Sequence, residues 1–186
     1  MGSVYRVRDE STRKALALKR LTHEASARHV ALFEREYHTL ASLQHPNIVK
    51  AYDFGMAGEQ PFSTMEYLEG ADLSGLSAMS LADICSSLRD VASALAYLHA
   101  RRFIHRDVTM RNVRIDKGGR ATLLDFGILA SVGATCHVAG TPPFVPPEAL
   151  QGLPLDHRVD QYALGALAYR ALSGRQAYPA PDFHEL

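Results

Sequence analysis

Five polar side chains lie beside apolar segments of the sequence, where they could carry out chemistry. Asp107 is followed five residues later by Asn112, and Asp125 lies in Leu-Leu-Asp-Phe-Gly. Their oxygens are hard ligands of the kind that Mg²⁺ prefers when it also holds substrate phosphates, and one aspartate could act as a general base. Lys19 ends the run Ala-Leu-Ala-Leu-Lys, where it is either solvated or reaches a phosphate or a carboxylate, and Glu36, on the following helix, is the obvious candidate carboxylate.

The sequence contains no motif typical of a zinc site or a serine hydrolase. The nine histidines are scattered, with no HExxH motif and no cysteine pair that would complete a zinc site. No Gly-x-Ser-x-Gly elbow is present, so a serine-hydrolase triad is not indicated. Cys85 and Cys136 are isolated from each other, which favours a reducing compartment over a disulfide framework.

The composition is that of an ordinary soluble globular protein. The chain has 186 residues, of which 47% are hydrophobic and 22% charged, enough for one large domain or two small lobes. The net charge is zero, so charge gives no argument for binding nucleic acid or an anionic membrane. No apolar run approaches the roughly 18 residues of a membrane span, and no signal peptide is evident. We expect a cytoplasmic protein.

The periodicity of apolar residues predicts the elements that position these side chains. Alternation predicts strands, and recurrence every three or four residues predicts helices. The predicted order is a strand pair within 1–20, a helix over 25–43, strands over 48–54 and 62–67, a joint over 70–77, a helix from 81 to 98, short strands within 102–115 and 121–124, an irregular segment over 132–147, and a helix over 160–172 ended by Gly174.

The helix from 81 to 98 has the strongest signal. Ser80 and Asp83 form a capping-box pattern before it. A stripe at spacings of three and four residues predicts its core face: Leu81, Ile84, Leu88, Val91, Leu95 and Leu98. Strands with one helix, then a joint, then mostly helices predict an α+β protein of two lobes with a ligand-binding cleft between them.

Five motifs then occur in the order of the protein-kinase signature set. They are Ala-Leu-Lys at Lys19, the helix bearing Glu36, His-Arg-Asp-x-x-x-x-Asn over 105–112, Asp-Phe-Gly over 125–127, and Pro-Pro-Glu ending at Glu148. The sequence resembles the catalytic domain of bacterial Ser/Thr-type (eukaryotic-like) protein kinases along essentially its whole length. The resemblance implies the two-lobed kinase fold, with an N-lobe over 1–64, a hinge over 65–72 and a C-lobe over 73–186.

The resemblance assigns roles to the five polar side chains. Lys19 would contact the α- and β-phosphates of ATP and be held by Glu36. Asp107 would accept the proton of the substrate hydroxyl. Asn112 and Asp125 would hold Mg²⁺. Most of the catalysis would then be positioning and charge neutralisation.

The resemblance also implies a nucleotide pocket. Val4 and Ala17 would cover the adenine, and Glu66 and Leu68, after Met65, would present backbone groups to its edge. Asp72 is placed either to contact the ribose or to cap a helix. Arg114 occupies a position below the adenine that is usually apolar, where its methylene stem could pack while the guanidinium reaches water. Asp160 would bond the backbone of the catalytic loop.

The sequence departs from the family pattern at several points. Thr109 stands where Ser/Thr kinases usually have a lysine that reaches the transferred phosphate, and its loss should slow the chemistry by up to about 10²–10³. Only the tail of the glycine-rich loop is present, Gly2-Ser3-Val4, and the segment that usually pairs with Glu148 is absent. We therefore expect a domain truncated at both ends, with Met1 an internal methionine.

The segment "GTPPF" over 140–144 resembles the substrate-side loop of Ser/Thr kinases. Thr141 is expected to hydrogen-bond the catalytic loop, and Arg106 to bind a phosphate on the activation segment, with Ser131 and Thr135 as acceptors. The implied function is ATP-dependent phosphorylation of a Ser/Thr hydroxyl on a protein substrate, with further regulatory domains in the full-length chain. The alternatives are a pseudokinase or regulatory binding module, and a different phosphotransferase on the same fold.

Overall fold

The computed structural model describes residues 2–22, 26–75, 79–134 and 139–178. Its first part is a four-stranded antiparallel sheet with the strand order β1-β2-β4-β3. The strands are β1 (Gly2–Arg8), β2 (Ala15–Leu21), β3 (Ala51–Ala57) and β4 (Gln60–Glu66). The predicted strand pair at the amino terminus is therefore present. It places Lys19 on β2, opposite Val4 of β1 and Ser63 of β4.

Helix α1 (Ala27–Ala41) packs against β3 and matches the helix predicted over 25–43 within its ends. The side chain of Ser26 caps it by accepting a hydrogen bond from His29 N. Phe33 and Leu40 are buried on its inner face. Glu36 lies between these two residues in sequence, so the helix directs it toward the sheet.

The strand predicted over 48–54 begins later, at Ala51. Ile48 and Val49 are buried and join a different part of the molecule. Ile48 forms a parallel bridge with Leu123, and Val49 N donates to Leu123 O at 3.1 Å. Their apolar character reflects this burial, while their backbone groups pair with the strand at Leu123 instead of with β4.

The second part of the chain is mostly helical. Its elements are β5 (Ala71–Asp72), α2 (Leu81–Ala100), β6 (Phe103–Ile104), β7 (Val113–Ile115), β8 (Ala121–Leu123), β9 (Ala130–Ser131), α3 (Pro147–Leu150) and α4 (Arg158–Ser173). Strands β5, β7 and β8 form one small antiparallel sheet, and β6 pairs with β9. Short 3₁₀ turns lie at Leu73–Gly75, Met110–Asn112 and Pro142–Phe144.

The capping box predicted before α2 is confirmed. Ser80 Oγ accepts from Asp83 N at 3.2 Å and donates to Asp83 Oδ2 at 2.7 Å. The predicted stripe is buried from Ile84 onward, with Leu88 partly buried. The prediction that Leu81 belongs to the core face is wrong, since this residue is 66% exposed. It is the first residue of the helix and precedes the turns that pack against β8 and α4.

Helix α4 is ended by Gly174 at φ +71°, as its sequence predicts. It packs against α2, and Asp160 in its first turn is completely buried. The segment predicted to be irregular over 132–147 contains the 3₁₀ turn Pro142–Phe144, while Thr135 and Cys136 lie outside the described residues. Within the described ranges, no helix is long and apolar enough to cross a membrane.

Candidate active site

A cavity of about 280 Å³ lies between the four-stranded sheet and the helical part. Its walls include every residue predicted to contact the adenine: Val4, Ala17, Met65, Glu66, Leu68 and Arg114. Lys19, Asn112 and Asp125 also line it, so residues 106 positions apart in the chain meet at one end. The cavity is thus lined mostly by apolar side chains along one side and by charged side chains at one end, which we call the ionised end.

Lys19 is the centre of the ionised end. Its Nζ lies 2.7 Å from Glu36 Oε1 and 3.1 Å from Asp125 Oδ1. The side chains of Lys19 and Glu36 are only 17% and 15% exposed, whereas that of Asp125 is 51% exposed. One cation therefore links β2, α1 and the turn after β8.

The charges of this cluster shift one another's pKa values. Burial opposes the charge on Lys19, but the carboxylates of Glu36 and Asp125 outweigh it and raise the pKa of the lysine. Burial raises the pKa of Glu36, against the attraction of Lys19. Burial also acts to raise the pKa of Asp125, but Lys19 lowers it overall. At neutral pH the lysine is charged and Asp125 is ionised.

The turn that carries Asp125 has a constrained backbone. Asp125 itself adopts φ +57°, in the left-handed region that non-glycine residues rarely occupy. Gly127 N donates to Asp125 Oδ1 at 3.3 Å, and a Cβ on Gly127 would lie 3.2 Å from that oxygen and 3.4 Å from Glu36 Oε2. The glycine therefore lets the turn come close to both carboxylates.

Asp107 lies in the loop between β6 and β7, and both of its carboxylate oxygens accept hydrogen bonds. Asn112 Nδ2 donates to Asp107 Oδ2 at 2.8 Å and to its backbone O at 2.9 Å. Thr141 Oγ1 donates to Oδ1 at 2.9 Å, which is the bond to the catalytic loop expected from the sequence. The two ends of the loop from 107 to 112 are thus joined by the hydrogen bonds between Asn112 and Asp107.

Asp160 anchors the same loop from beneath. Its Oδ2 accepts from His105 N at 2.9 Å and its Oδ1 from Arg106 N at 2.8 Å. The expected backbone bonds are therefore present. Arg106 adopts φ +71°, a conformation that the two bonds help to hold.

His99 completes this anchor, a role that the sequence does not predict. Its Nε2 donates to Asp160 Oδ2 at 2.8 Å, since the buried carboxylate can only accept. The residue lies at the end of α2, next to Leu98 of the apolar stripe, and no acidic residue at helical spacing points to its role. The bond spans 61 positions.

His105 is completely buried between Asp107 and the end of β8. Its Nε2 donates to Leu124 O at 3.1 Å, so Nδ1 is left to accept from Asp107 N at 3.3 Å. This assignment requires a neutral ring. Burial lowers the pKa of His105, in agreement with that state.

Arg114 lies at the cavity as expected, but its guanidinium makes a contact that the sequence did not predict. Its Nε donates to Leu68 O at 3.2 Å, so the guanidinium turns back onto the chain after β4 rather than simply reaching water. The alternation of β7 explains this, because Val113 and Ile115 are buried on one face and Arg114 faces the cavity. Asp72 lies opposite Arg114 in the backbone register of β5 and β7, but it does not line the cavity. Its Oδ1 accepts a hydrogen bond from Ser74 N at 3.0 Å.

Two further departures noted in the sequence have structural counterparts. Thr109 is 5% exposed, and its carbonyl accepts from Asn112 N at 3.1 Å, so it supports the loop without supplying charge. Glu148 in α3 is half-buried, and its carboxylate forms no hydrogen bond or ion pair with the described residues.

The residues around Asp125 fit a Mg²⁺ ion held partly by substrate. Asn112 uses its Nδ2 on Asp107, and Asp125 uses its Oδ1 on Lys19 and Gly127. Among the described residues nothing donates to Asn112 Oδ1 or Asp125 Oδ2, which leaves two hard oxygens at the cavity. No group of three or more His, Cys, Asp or Glu in the described ranges could hold a metal alone. Mg²⁺ commonly takes its remaining ligands from phosphates and water.

The ion-paired lysine and the anchored aspartate loop lie at one cavity of an α+β fold, and comparison with known proteins gives the family of this chain. The model of the protein kinase domain family matches residues 1–185. The chain belongs to the protein kinase family.

Bacterial serine/threonine kinases are among the similar proteins. The serine/threonine-protein kinase pkn2 of Myxococcus xanthus is 36% identical over 97% of this chain and 24% of its own length. The DNA damage-responsive serine/threonine-protein kinase RqkA of Deinococcus radiodurans is 34% identical over 93% of this chain and 28% of its own. The serine/threonine-protein kinase PknF of Mycobacterium tuberculosis is 37% identical over 94% of this chain and 40% of its own length. The chain thus spans a quarter to two-fifths of the length of these relatives.

Proposed function

We propose that this chain is the catalytic part of an ATP-dependent serine/threonine protein kinase. It would transfer the γ-phosphoryl group of ATP to a hydroxyl on a protein. The observation that carries the proposal is the Lys19 cluster, in which one lysine binds Glu36 and Asp125 at the end of the cavity nearest Asn112. A cation held in place by carboxylates suits the binding of nucleotide phosphates.

The apolar side of the cavity would hold the adenine. Val4 and Ala17 line it from the sheet, and the chain from Met65 to Leu68 lines its edge with backbone groups. Arg114 would lie below the base, tied to Leu68 O. Asp72 uses Oδ1 to accept from Ser74, and its position opposite Arg114 on the neighbouring strand supports a place near the sugar.

The ionised end would hold the phosphates. Lys19 would contact the α- and β-phosphates while Glu36 keeps the ammonium in place. Asn112 and Asp125 would hold Mg²⁺, which when bound neutralises charge on the phosphates. Because phosphate oxygens would compete with Asp125 for the ammonium of Lys19, we expect phosphate binding to draw the lysine partly away from this carboxylate.

Asp107 would act on the acceptor hydroxyl. The hydroxyl oxygen attacks the γ-phosphorus, the bond from that phosphorus to the β–γ bridging oxygen breaks, ADP leaves, and the hydroxyl proton passes to Asp107. Thr141 donates to Oδ1 of this carboxylate, so an incoming serine or threonine hydroxyl would take up a similar position. The anchoring of the loop by Asp160 supports a preformed geometry.

The acceptor class and the setting are part of the same proposal. The relatives are named serine/threonine-protein kinases, which supports a Ser/Thr acceptor and gives no support to the pseudokinase alternative. Their greater length supports further regulatory domains. Bacterial relatives and two isolated cysteines support a bacterial signalling enzyme in the cytoplasm. Arg106, whose Nη1 donates to Ile128 O, and Ser131 are the described candidates for control by phosphorylation.

The test is phosphoryl transfer from Mg-ATP to a Ser/Thr-containing protein such as casein, using the natural full-length protein. Asp107→Ala and Asp125→Ala should each reduce transfer by about 10²-fold or more. Asp53→Ala is the matched control, because Asp53 is an exposed aspartate on β3, and it should retain wild-type transfer. Equal transfer in all four proteins would overturn the proposed function.

A further inference from the structure

Two histidine rings meet in the helical part of the chain, outside the nucleotide cavity. His99 is the penultimate residue of α2, and His157 directly precedes α4. Their ring centroids lie 5.8 Å apart, with an angle of 52° between the ring planes. Neither residue lines the cavity that contains Lys19 and Asp125. The histidine pair is therefore separate from the proposed nucleotide site.

The second ring nitrogen of His99 is available to a ligand. Nε2 donates to Asp160 Oδ2 at 2.8 Å, so Nδ1 carries the lone pair in the neutral ring. Nδ1 forms no hydrogen bond with any residue in the described ranges. It is reached by solvent although the side chain is only 18% exposed, because no buried side-chain nitrogen or oxygen in those ranges lacks a hydrogen-bond partner. An imidazole held in one orientation with an open lone pair is suited to bind a metal ion.

The buried carboxylate of Asp160 favours a cation on that nitrogen. Histidines that bind metal ions usually donate their other N–H to a carboxylate, which orients the ring and makes it a better ligand. Asp160 is completely buried, and within the described part of the chain its only ion-pair partner is His99. A metal ion on Nδ1 of His99 would therefore place a positive charge close to a buried negative one.

His157 can supply a second ligand. It is exposed, and its ring forms no hydrogen bond with the residues that the structure describes. Two imidazoles on one tetrahedral Zn²⁺, with Zn–N distances of about 2.0–2.1 Å, have ring centroids about 5–6 Å apart. The observed separation of 5.8 Å agrees with this geometry. The adjacent Arg158 binds both carboxylate oxygens of Asp156, which offsets its charge beside the two rings.

We propose that His99 and His157 bind Zn²⁺ or a similar divalent transition-metal ion, which would join the end of α2 to the start of α4. Imidazole nitrogen suits these ions, whereas Mg²⁺ prefers oxygen ligands. No set of three or more His, Cys, Asp or Glu side chains in the described ranges could hold a metal ion, so water would complete the coordination. The site needs no nucleotide and does not depend on the proposed kinase function.

The experiment is titration calorimetry of the natural full-length protein with ZnCl₂ in excess Mg²⁺, which should not compete for imidazole. Wild type is compared with His157→Ala, His99→Gln and His38→Ala. His157→Ala removes a ligand from an exposed position, so the fold should be kept. His99→Gln removes the imidazole lone pair but keeps a side-chain N–H for Asp160. His38→Ala is the matched control, because His38 is an exposed histidine on α1.

Wild type and His38→Ala should bind Zn²⁺ at this site with the same Kd. The other two variants should bind at least about tenfold more weakly, because loss of even an indirect partner of a metal ligand costs about 10–100-fold in affinity. Excess Zn²⁺ should also raise the urea midpoint of wild type and not that of His157→Ala, since only the folded chain brings the two rings together.

His157→Ala decides the outcome if His99→Gln proves unstable. A smaller loss of affinity in His157→Ala, or no binding of Zn²⁺ to the wild type, would overturn the metal site. Either result would leave the proposed kinase function unchanged, because phosphoryl transfer is measured separately with Mg-ATP.

Discussion

Lys19 and Asp160 each join three elements of the chain, but they do so by different means. Lys19 joins β2, α1 and the turn at Asp125 through two ion pairs, and its partners range from 15% to 51% exposed. Asp160 joins α4 to α2 and to the catalytic loop through His99 and two backbone N–H groups, and it is completely buried.

This difference separates a fixed part of the site from an exchangeable one. Backbone bonds to a buried carboxylate have no competing ligand, so we expect them to hold the loop of Asp107, the proposed base, before substrate arrives. Ion pairs at the edge of a cavity can be exchanged for phosphate oxygens of a nucleotide. We therefore expect changes at Asp160 to act on folding, and changes at Lys19 to act on nucleotide chemistry.

The largest effect is expected from Asp160→Ala. It removes the acceptor of His105 N and of Arg106 N and the partner of His99, which should lower the free energy of unfolding by about 3–5 kcal/mol. Urea denaturation measures the change. Asp156→Ala removes a half-buried aspartate just before the same helix, whose carboxylate accepts from Arg158 N, and should lower the free energy of unfolding by only about 1 kcal/mol. Equal losses in the two variants would contradict the anchoring role.

Lys19→Met should affect phosphoryl transfer much more than stability. It removes the cation at the phosphate end and should lower the transfer rate by about 10²–10³-fold, or about 2.7–4 kcal/mol in the barrier. Stability should fall much less than in Asp160→Ala. Lys14→Met, in the exposed turn between β1 and β2, is the control. A Lys19→Met protein that transfers phosphate within threefold of wild type would contradict the proposed phosphate site.

Gly140→Ala tests how closely the segment of Thr141 approaches the loop. Gly140 has φ +118°, and a Cβ there would lie 2.9 Å from Arg106 O. Strain and the close contact together should reduce the free energy of unfolding by about 1–3 kcal/mol. Gly133→Ala is the control, since Gly133 has φ +87° but nothing within 4 Å of its Cβ position. A Gly140→Ala loss no larger than that of Gly133→Ala would mean that the contact has no energetic weight.

The smallest effect concerns pH. Burial lowers the pKa of His105, so below the unfolded value of about 6.5 the unfolded chain binds a proton that folded His105 does not. Stability from the neutral ring is complete above that pH and is lost as pH falls, by at most about 1.4 kcal/mol per pH unit. Urea titrations from about pH 7 to pH 5.5 should show a steeper loss in wild type than in His105→Gln. Identical slopes would contradict a neutral buried His105.

The sequence predicted the parts of the site that local patterns encode. The cap at Ser80 and the end of α4 at Gly174 are set by neighbouring residues, and both were predicted. The spacing from Asp107 to Asn112 is also local, because the two side chains close one loop. Such features need no knowledge of which distant segments meet.

The features that sequence reasoning missed depend on distant partners. His99 binds a carboxylate 61 positions away, and the direction of Arg114 is set by a carbonyl 46 positions away. Ile48 pairs with Leu123 instead of extending β3. Periodicity shows that such residues are buried or polar, but it contains no information on the partner.

The most direct test of the account measures nucleotide affinity and phosphoryl transfer in the same protein, Asp107→Asn. The substitution preserves the size of the side chain and leaves Lys19, Asn112 and Asp125 at the cavity. We predict that the Kd for Mg-ATP, measured by titration calorimetry, stays within about threefold of wild type, while transfer falls by about 10²–10⁴-fold. Transfer at the wild-type rate would contradict the assignment of Asp107 as the base.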